Sequence, residues 1–122
     1  MPPRRRTDPV AGRKALVAWA DGEAERADVT TAVRFTLEEL AAVAPGNAVE
    51  VRVPPAGAVQ AVAGPRHTRG TPPNVVEMAP ETWLSLVTGR VAWSDAVSDG
   101  RVSASGERSD ISDLLPLHLR VS

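Results

Sequence analysis

Two stretches of the chain have the periodicity of an amphipathic α-helix. In the longer one, which starts near Thr30, apolar side chains recur at i, i+4, i+7, i+8 and i+11: Val33, Leu37, Leu40, Ala41 and Ala44. This spacing places them on one stripe of a helix, which Pro45 ends. Upstream, Asp8 supplies an N-cap carboxylate and Pro9 suits the first helical position, so a helix is predicted from Pro9 to about Ala20.

Strict alternation of apolar and charged residues follows the second helix. Val49, Val51 and Val53 are separated by the charged Glu50 and Arg52. Such alternation is typical of a strand with one buried face. We therefore predict that the three valines face the helices.

Further strands are predicted on both sides of a loop that is rich in proline and glycine. A Pro/Gly turn precedes a returning strand over residues 58–63, and the loop over residues 64–73 leads to a third strand over 75–78. Residues 101–105 alternate again and predict a fourth strand.

Shorter helices are predicted around the fourth strand. Pro80 opens a helix that Gly89 stops, and Ser94 caps a short helix that ends at Gly100. Ser109 is predicted to cap a last helical turn.

The order of these elements predicts an α+β fold. We expect a four- to five-stranded, mainly antiparallel sheet covered by helices. Residues 1–8 are rich in proline and arginine and are expected to form a disordered tail. Residues 9–122 are expected to form a single domain, since 122 residues is the size of one domain.

Composition narrows the possible functions. The absence of cysteine excludes disulfides, thiolate metal sites and a cysteine nucleophile. The longest apolar run has six residues, against the ~18 that span a bilayer, so no stable membrane insertion and a cytoplasmic location are expected. A net charge of −1 argues against a nucleic-acid binder.

Catalytic and metal-binding patterns are missing from the sequence. His67 and His118 are the only histidines, and no carboxylates are spaced with them as metal ligands. The chain has no nucleophile elbow, no phosphate-binding loop with its lysine, and no acid–base pair of carboxylates that stands out. We therefore expect no metal, no cofactor and no enzymatic activity.

The loop over residues 64–73 is the most unusual local feature. Arg66, His67 and Arg69 place up to three positive charges within four residues. They form either a contact for an anion or a protein partner, or a solvated connector whose arginines pair with neighbouring carboxylates such as Glu50 or Glu77. The prolines at 65, 72 and 73 predict that the loop is ordered.

Small side chains dominate the apolar residues. The chain has 19 alanines and 17 valines, but only nine leucines, three tryptophans and one phenylalanine. Such a core either draws its elements close together or leaves space between them.

The C-terminal half resembles the sterol carrier protein family. The resemblance rests on residues 72–78 (PPNVVEM), on the helix end 83–90 (WLSLVTGR), and on Ala96, residues 100–102 (GRV) and residues 105–106 (SG). These fragments occur in the family's order and at matching spacing over about 44 residues. The small stand-alone bacterial members are similar to the whole chain.

The resemblance implies an apolar tunnel between sheet, helices and C-terminal segment. The positions that it would place along the tunnel are Val51, Val53, Val76, Met78, Trp83, Val87, Trp93, Val97, Leu114 and Leu115. The residue pattern itself predicts only that these side chains are buried.

Two functions are compatible with this resemblance. The first is a non-enzymatic carrier of an apolar or amphipathic molecule, such as a lipid, a fatty acyl group or a sterol-like compound. The second is an accessory protein-interaction module of the same fold with a filled cavity, since related domains are appended to other enzymes in actinobacteria. A carrier needs a pocket, whereas a module needs an exposed patch.

Overall fold

Four α-helices, four strands and one 3₁₀ turn form the part of the chain that is described in this computed structural model, residues 6–64 and 74–119. In chain order they are α1 (Pro9–Ala20), α2 (Arg26–Val43), β1 (Val49–Val53), β2 (Gly57–Ala61), β3 (Val75–Met78), α3 (Pro80–Val87), α4 (Trp93–Ser98), β4 (Val102–Ser105) and the 3₁₀ turn (Ser112–Leu114).

The strands form one mixed sheet in the order β2-β1-β3-β4. β1 pairs antiparallel with β2 and β3 pairs antiparallel with β4, whereas the central pair, β1 and β3, is parallel. In the register, Val51 lies opposite Val59 on one side and Val76 on the other. The α+β fold with a four-stranded, mainly antiparallel sheet is confirmed.

The buried face of the sheet packs against α2 and α3. Val49, Val51 and Val53 are buried, as the alternation predicts, and share one apolar cluster with Leu37 of α2 and Trp83 of α3. The charged residues between the valines lie on the opposite, solvent-facing side of the sheet.

The predicted start of α1 is confirmed in detail. Asp8 is the N-cap, and its carboxylate accepts a hydrogen bond from the Ala11 amide at 3.3 Å. Just before it, the Thr7 amide and hydroxyl donate to the Glu38 carboxylate of α2 at 3.0 and 3.1 Å. The expected tail over residues 1–8 therefore overlaps the fold at Thr7 and Asp8, and residues 1–5 lie outside the described part.

Helix α2 begins four residues before its predicted start at Thr30. The Asp28 carboxylate accepts a hydrogen bond from the Glu25 amide at 3.0 Å. A carboxylate three residues into a helix can satisfy the amide of the N-cap residue in this way. The segment that connects α1 to α2 therefore covers only residues 21–25.

Three further boundaries differ from the predictions. Helix α4 begins at Trp93 with Ala92 as its N-cap, so Ser94 lies inside the first turn. Ser109 caps no helix, because its hydroxyl donates to the Gly106 carbonyl at 2.9 Å and the 3₁₀ turn begins only at residue 112. β2 ends at residue 61 rather than 63, and Val62 has a φ of 70°.

Helices α1 and α2 approach each other closely at Gly12. A Cβ atom at this position would lie 2.3 Å from a ring carbon of Phe35, which is almost fully buried. A small residue thus draws two elements together here, which is the first of the two outcomes that the alanine- and valine-rich composition allows.

Candidate functional site

Most of the expected tunnel positions lie inside a closed core. Six of them are 4% exposed or less: Val51, Val53, Val76, Met78, Trp83 and Val87. Trp93, Leu114 and Leu115 are only partly buried and pack against the edge of this core.

Val97 does not follow the prediction. It was expected to be buried, but its side chain is 40% exposed. The short helix α4 fully buries only Ala96 and partly buries Trp93, whereas its other four positions face solvent.

Two of the ten expected residues meet in a surface groove of about 560 Å³, open to solvent, which we call the C-terminal groove. It is lined by Leu86, Gly89, Val91, Ala92, Trp93, Ser94, Asp110, Ser112, Leu115 and Pro116. The groove therefore lies between the end of α3, the start of α4 and the C-terminal segment over residues 110–116. Trp93 and Leu115 are the expected residues that it brings together.

The C-terminal segment is held against the end of α3. The Leu117 amide donates to the Val87 carbonyl at 3.0 Å. Gly89 has a φ of +80°, and a Cβ atom there would lie 3.5 Å from the Pro116 ring. Glycine adopts this left-handed conformation without the cost that other residues incur, and it brings the chain alongside the segment that forms the opposite wall.

The charge in this groove comes from one carboxylate. Among the described residues that line this groove, Asp110 is the one charged side chain. Its carboxylate accepts a hydrogen bond from the Ser112 amide at 2.9 Å. Hydrogen bonds from the Ser112 side chain and amide favour the ionised form and lower the pKa of Asp110 below 3.8.

A second groove, of about 730 Å³, lies where α1 ends, and we call it the α1 groove. It is lined by Trp19, Ala20, Asp21, Gly22, Ala24, Val29, Ala79, Pro80, Glu81 and Arg90. Among the described residues, none that was predicted for a binding site lines it.

The charged groups of the α1 groove are held around one indole ring. The Trp19 Nε1–H donates to the Glu81 carboxylate at 2.6 Å, and the Arg90 guanidinium lies 4.7 Å from the centre of the Trp19 ring. Arg90 also donates to the Ala20 carbonyl at 2.7 Å. These contacts connect the end of α1 to α3 and to the turn after α3. The Glu81 carboxylate and the Arg90 guanidinium therefore already have partners within the protein.

No local pattern in the sequence predicts this arrangement. Trp19 and Glu81 are 62 positions apart, and Arg90 lies 70 positions from Ala20. The helical period places Trp19 on a buried face, but its polar partners come from a distant part of the chain.

Residues 65–73 of the charged loop lie outside the part of the chain that the structure describes. Arg66, His67 and Arg69 lie outside the described residues, so the order of this loop and its contacts stay predictions. Of the carboxylates proposed to pair with it, Glu50 forms an ion pair with Arg52, and Glu77 lies 4.0 Å from the same guanidinium.

Residues 6–64 and 74–119 contain neither a metal-binding cluster nor a membrane-spanning helix. No three histidine, aspartate or glutamate side chains there are arranged to hold a metal ion. In the same ranges, no helix has the length and apolar character needed to cross a bilayer.

A family model described as the bacterial SCP ortholog matches residues 25–117. The chain belongs to this bacterial sterol-carrier-like family. This confirms the resemblance seen in the C-terminal half and extends it upstream through α2 and the first strands. No curated protein shows a significant match to the chain.

The two grooves differ in how much of their lining falls within residues 25–117, the segment that the family model matches. All residues that line the C-terminal groove, from 86 to 116, lie within the sterol-carrier-like segment. The α1 groove is built in part from residues 19–24, which precede it. We therefore take the C-terminal groove as the candidate site, because its whole described lining lies in the segment that the family model matches.

Proposed function

We propose that this protein is a non-enzymatic, cytoplasmic carrier that binds an apolar or amphipathic small molecule in the C-terminal groove. The proposal is supported by the convergence of apolar side chains from the end of α3, the start of α4 and the C-terminal segment in this groove. All of these residues lie within the sterol-carrier-like segment. Trp93 and Leu115 supply the largest apolar side chains at its surface, and Leu86 belongs to the core beneath it.

The physical basis of binding would be burial of apolar surface. A volume of about 560 Å³ lies within the range of about 300–1,000 Å³ that is common for ligand pockets. Each Å² of apolar surface removed from water contributes ~25 cal/mol. Because the groove is open along one side, part of a bound chain stays in water, and we expect affinities no better than micromolar.

In this proposal the ligand binds at the surface of the core and not in the interior tunnel that the family resemblance implies. Six expected tunnel positions are packed together in one apolar cluster, so a ligand between them would have to separate them. In the C-terminal groove a ligand would instead contact side chains that already face open space.

The proposal is tested by filling the groove without disturbing the core. Ala92 lines the groove and is exposed, so Ala92→Phe adds a ring there while the buried cluster stays intact. Ala58 on β2 is also exposed and lies outside both grooves, so Ala58→Phe is the matched control. Binding of decan-1-ol would be followed by tryptophan fluorescence, with Trp93→Phe showing which ring reports it.

We expect wild type and Ala58→Phe to bind with equal affinity and Ala92→Phe to bind at least ten times more weakly. Mass spectrometry of an organic extract of the purified protein should also show a retained apolar molecule. If the wild type binds no alkyl probe and retains no such molecule, the carrier proposal is wrong.

The second candidate is an accessory protein-interaction module. The closed core favours it, since the expected tunnel positions are buried by one another. A module of this kind would give neither a retained lipid nor a response to the alkyl probe, and so the same two measurements separate the candidates.

A further inference from the structure

The segments that build the C-terminal groove carry an excess of negative charge. Residues 86–95 and 110–116 contain three acidic side chains, Asp95, Asp110 and Asp113, and one basic side chain, Arg90. Asp110 lines the groove itself. Asp95 lies in the first turn of α4 and Asp113 in the 3₁₀ turn, where they add to the negative potential at longer range.

The basic side chain of these segments is directed to the other groove. Arg90 stacks on Trp19 and donates to the Ala20 carbonyl, and it lines the α1 groove rather than the C-terminal one. A ligand headgroup in the C-terminal groove therefore meets a carboxylate and the hydroxyls of Ser94 and Ser112, with no guanidinium or ammonium group among the described lining residues.

The position of the carboxylate suits a headgroup contact. Asp110 and Ser112 come from the C-terminal segment, which also supplies the apolar Leu115, while Val91 and Trp93 come from the turn after α3 and the start of α4. Asp110 is exposed, and its carboxylate accepts hydrogen bonds from the Ser112 side chain and amide. The two oxygens of a carboxylate have about four acceptor sites, so Asp110 keeps acceptor capacity for a ligand.

We propose that the C-terminal groove prefers amphiphiles with a cationic headgroup over amphiphiles of the same chain length with an anionic headgroup, an inference that rests on the proposed function. The alkyl chain lies along the apolar wall and the headgroup lies beside Asp110. Neutral alcohols fall between the two charged classes, because they gain no ionic attraction and meet no repulsion.

The expected selectivity is modest because the carboxylate is exposed. Solvent screens an exposed charge pair, so replacing an attractive contact by a repulsive one corresponds to about a five- to tenfold difference in Kd at low ionic strength. The difference should shrink in about 0.5 M salt, where the Debye length falls to a few ångströms.

The test compares three decyl probes on the whole chain: decyltrimethylammonium, decan-1-ol and decanoate, each below its aggregation limit at neutral pH. Asp110→Asn removes the charge but keeps an oxygen that can accept from the Ser112 amide. Asp21→Asn makes the same change of net charge at an exposed residue of the α1 groove, and it is the matched control. Ala92→Phe shows that binding occurs in the C-terminal groove.

We expect decyltrimethylammonium to bind about five to ten times more tightly than decanoate in wild type and in Asp21→Asn, and nearly equally in Asp110→Asn. Equal affinities for the three probes in wild type, tighter binding of decanoate, or a preference that survives in Asp110→Asn would overturn this inference and leave the carrier proposal standing. Absence of binding by all three probes would overturn both.

Discussion

A buried hydrogen bond between α2 and α3 allows the packing of this core to be tested quantitatively. The Trp83 indole N–H donates to the Thr36 hydroxyl at 2.8 Å, and both residues are fully buried. The same hydroxyl donates to the Ala32 carbonyl one turn earlier, at 2.8 Å. Thr36→Val keeps the shape of the side chain but removes the acceptor, so the indole N–H is left buried without a partner.

The magnitudes follow from what each variant leaves behind. Thr36→Val should lower the free energy of unfolding by about 1–3 kcal/mol, the cost of an unsatisfied buried donor. Trp83→Phe removes the donor and part of the ring, for a loss of about 1–3 kcal/mol. In the double variant no donor is left unsatisfied, so its loss should be smaller than the sum of the single losses by about 1–2 kcal/mol.

Urea unfolding followed by far-UV circular dichroism measures all four proteins of this cycle. The m-value should stay constant, since the surface exposed on unfolding hardly changes. Thr82→Val is the matched control, because it makes the same exchange at a second buried threonine, on α3 beside Trp83, and leaves the Thr36–Trp83 hydrogen bond in place. Its coupling energy with Trp83→Phe should therefore stay below about 0.4 kcal/mol. A coupling energy below about 0.4 kcal/mol would refute the role given to the Thr36–Trp83 bond.

Three further outcomes are expected, each measured by the same unfolding assay. Trp83→Ala should cost roughly 3–5 kcal/mol, and a loss below about 1 kcal/mol would contradict its full burial. Gly12→Ala should destabilise by about 1–3 kcal/mol despite the better helix propensity of alanine, because the new Cβ meets the Phe35 ring; equal or higher stability would show that α1 adjusts freely. Asp110→Asn should lower stability slightly at neutral pH. Because the folded-state pKa of Asp110 is lowered, its ionised form contributes to the free energy of unfolding above pH 3.8, and this contribution is lost as the pH falls through the folded-state pKa. The stabilities of wild type and variant should therefore converge in acid. A difference that persists in acid would point to a cause other than charge.

Local sequence determined the elements whose signals lie within a few neighbouring residues. The Asp8–Pro9 start of α1 and the alternation from Val49 to Val53 both predict what the structure shows, because a cap and a strand face depend on adjacent side chains. Errors at Ser94 and Ser109 arose where a serine had the right local context but its neighbours began the helix elsewhere. The family itself was also recognisable from short motifs.

Tertiary structure alone decided which side chains share a surface. The parallel pairing of β1 with β3 depends on which edge of β1 the later strand joins, and no local pattern encodes this choice. Trp93 and Leu115 meet because the chain after residue 110 returns to the end of α3. Arg90 belongs to one of the motifs that resemble the family, but only its contact with Trp19 shows that it lines the α1 groove. Asp110 is therefore the one charged side chain among the described residues that line the C-terminal groove.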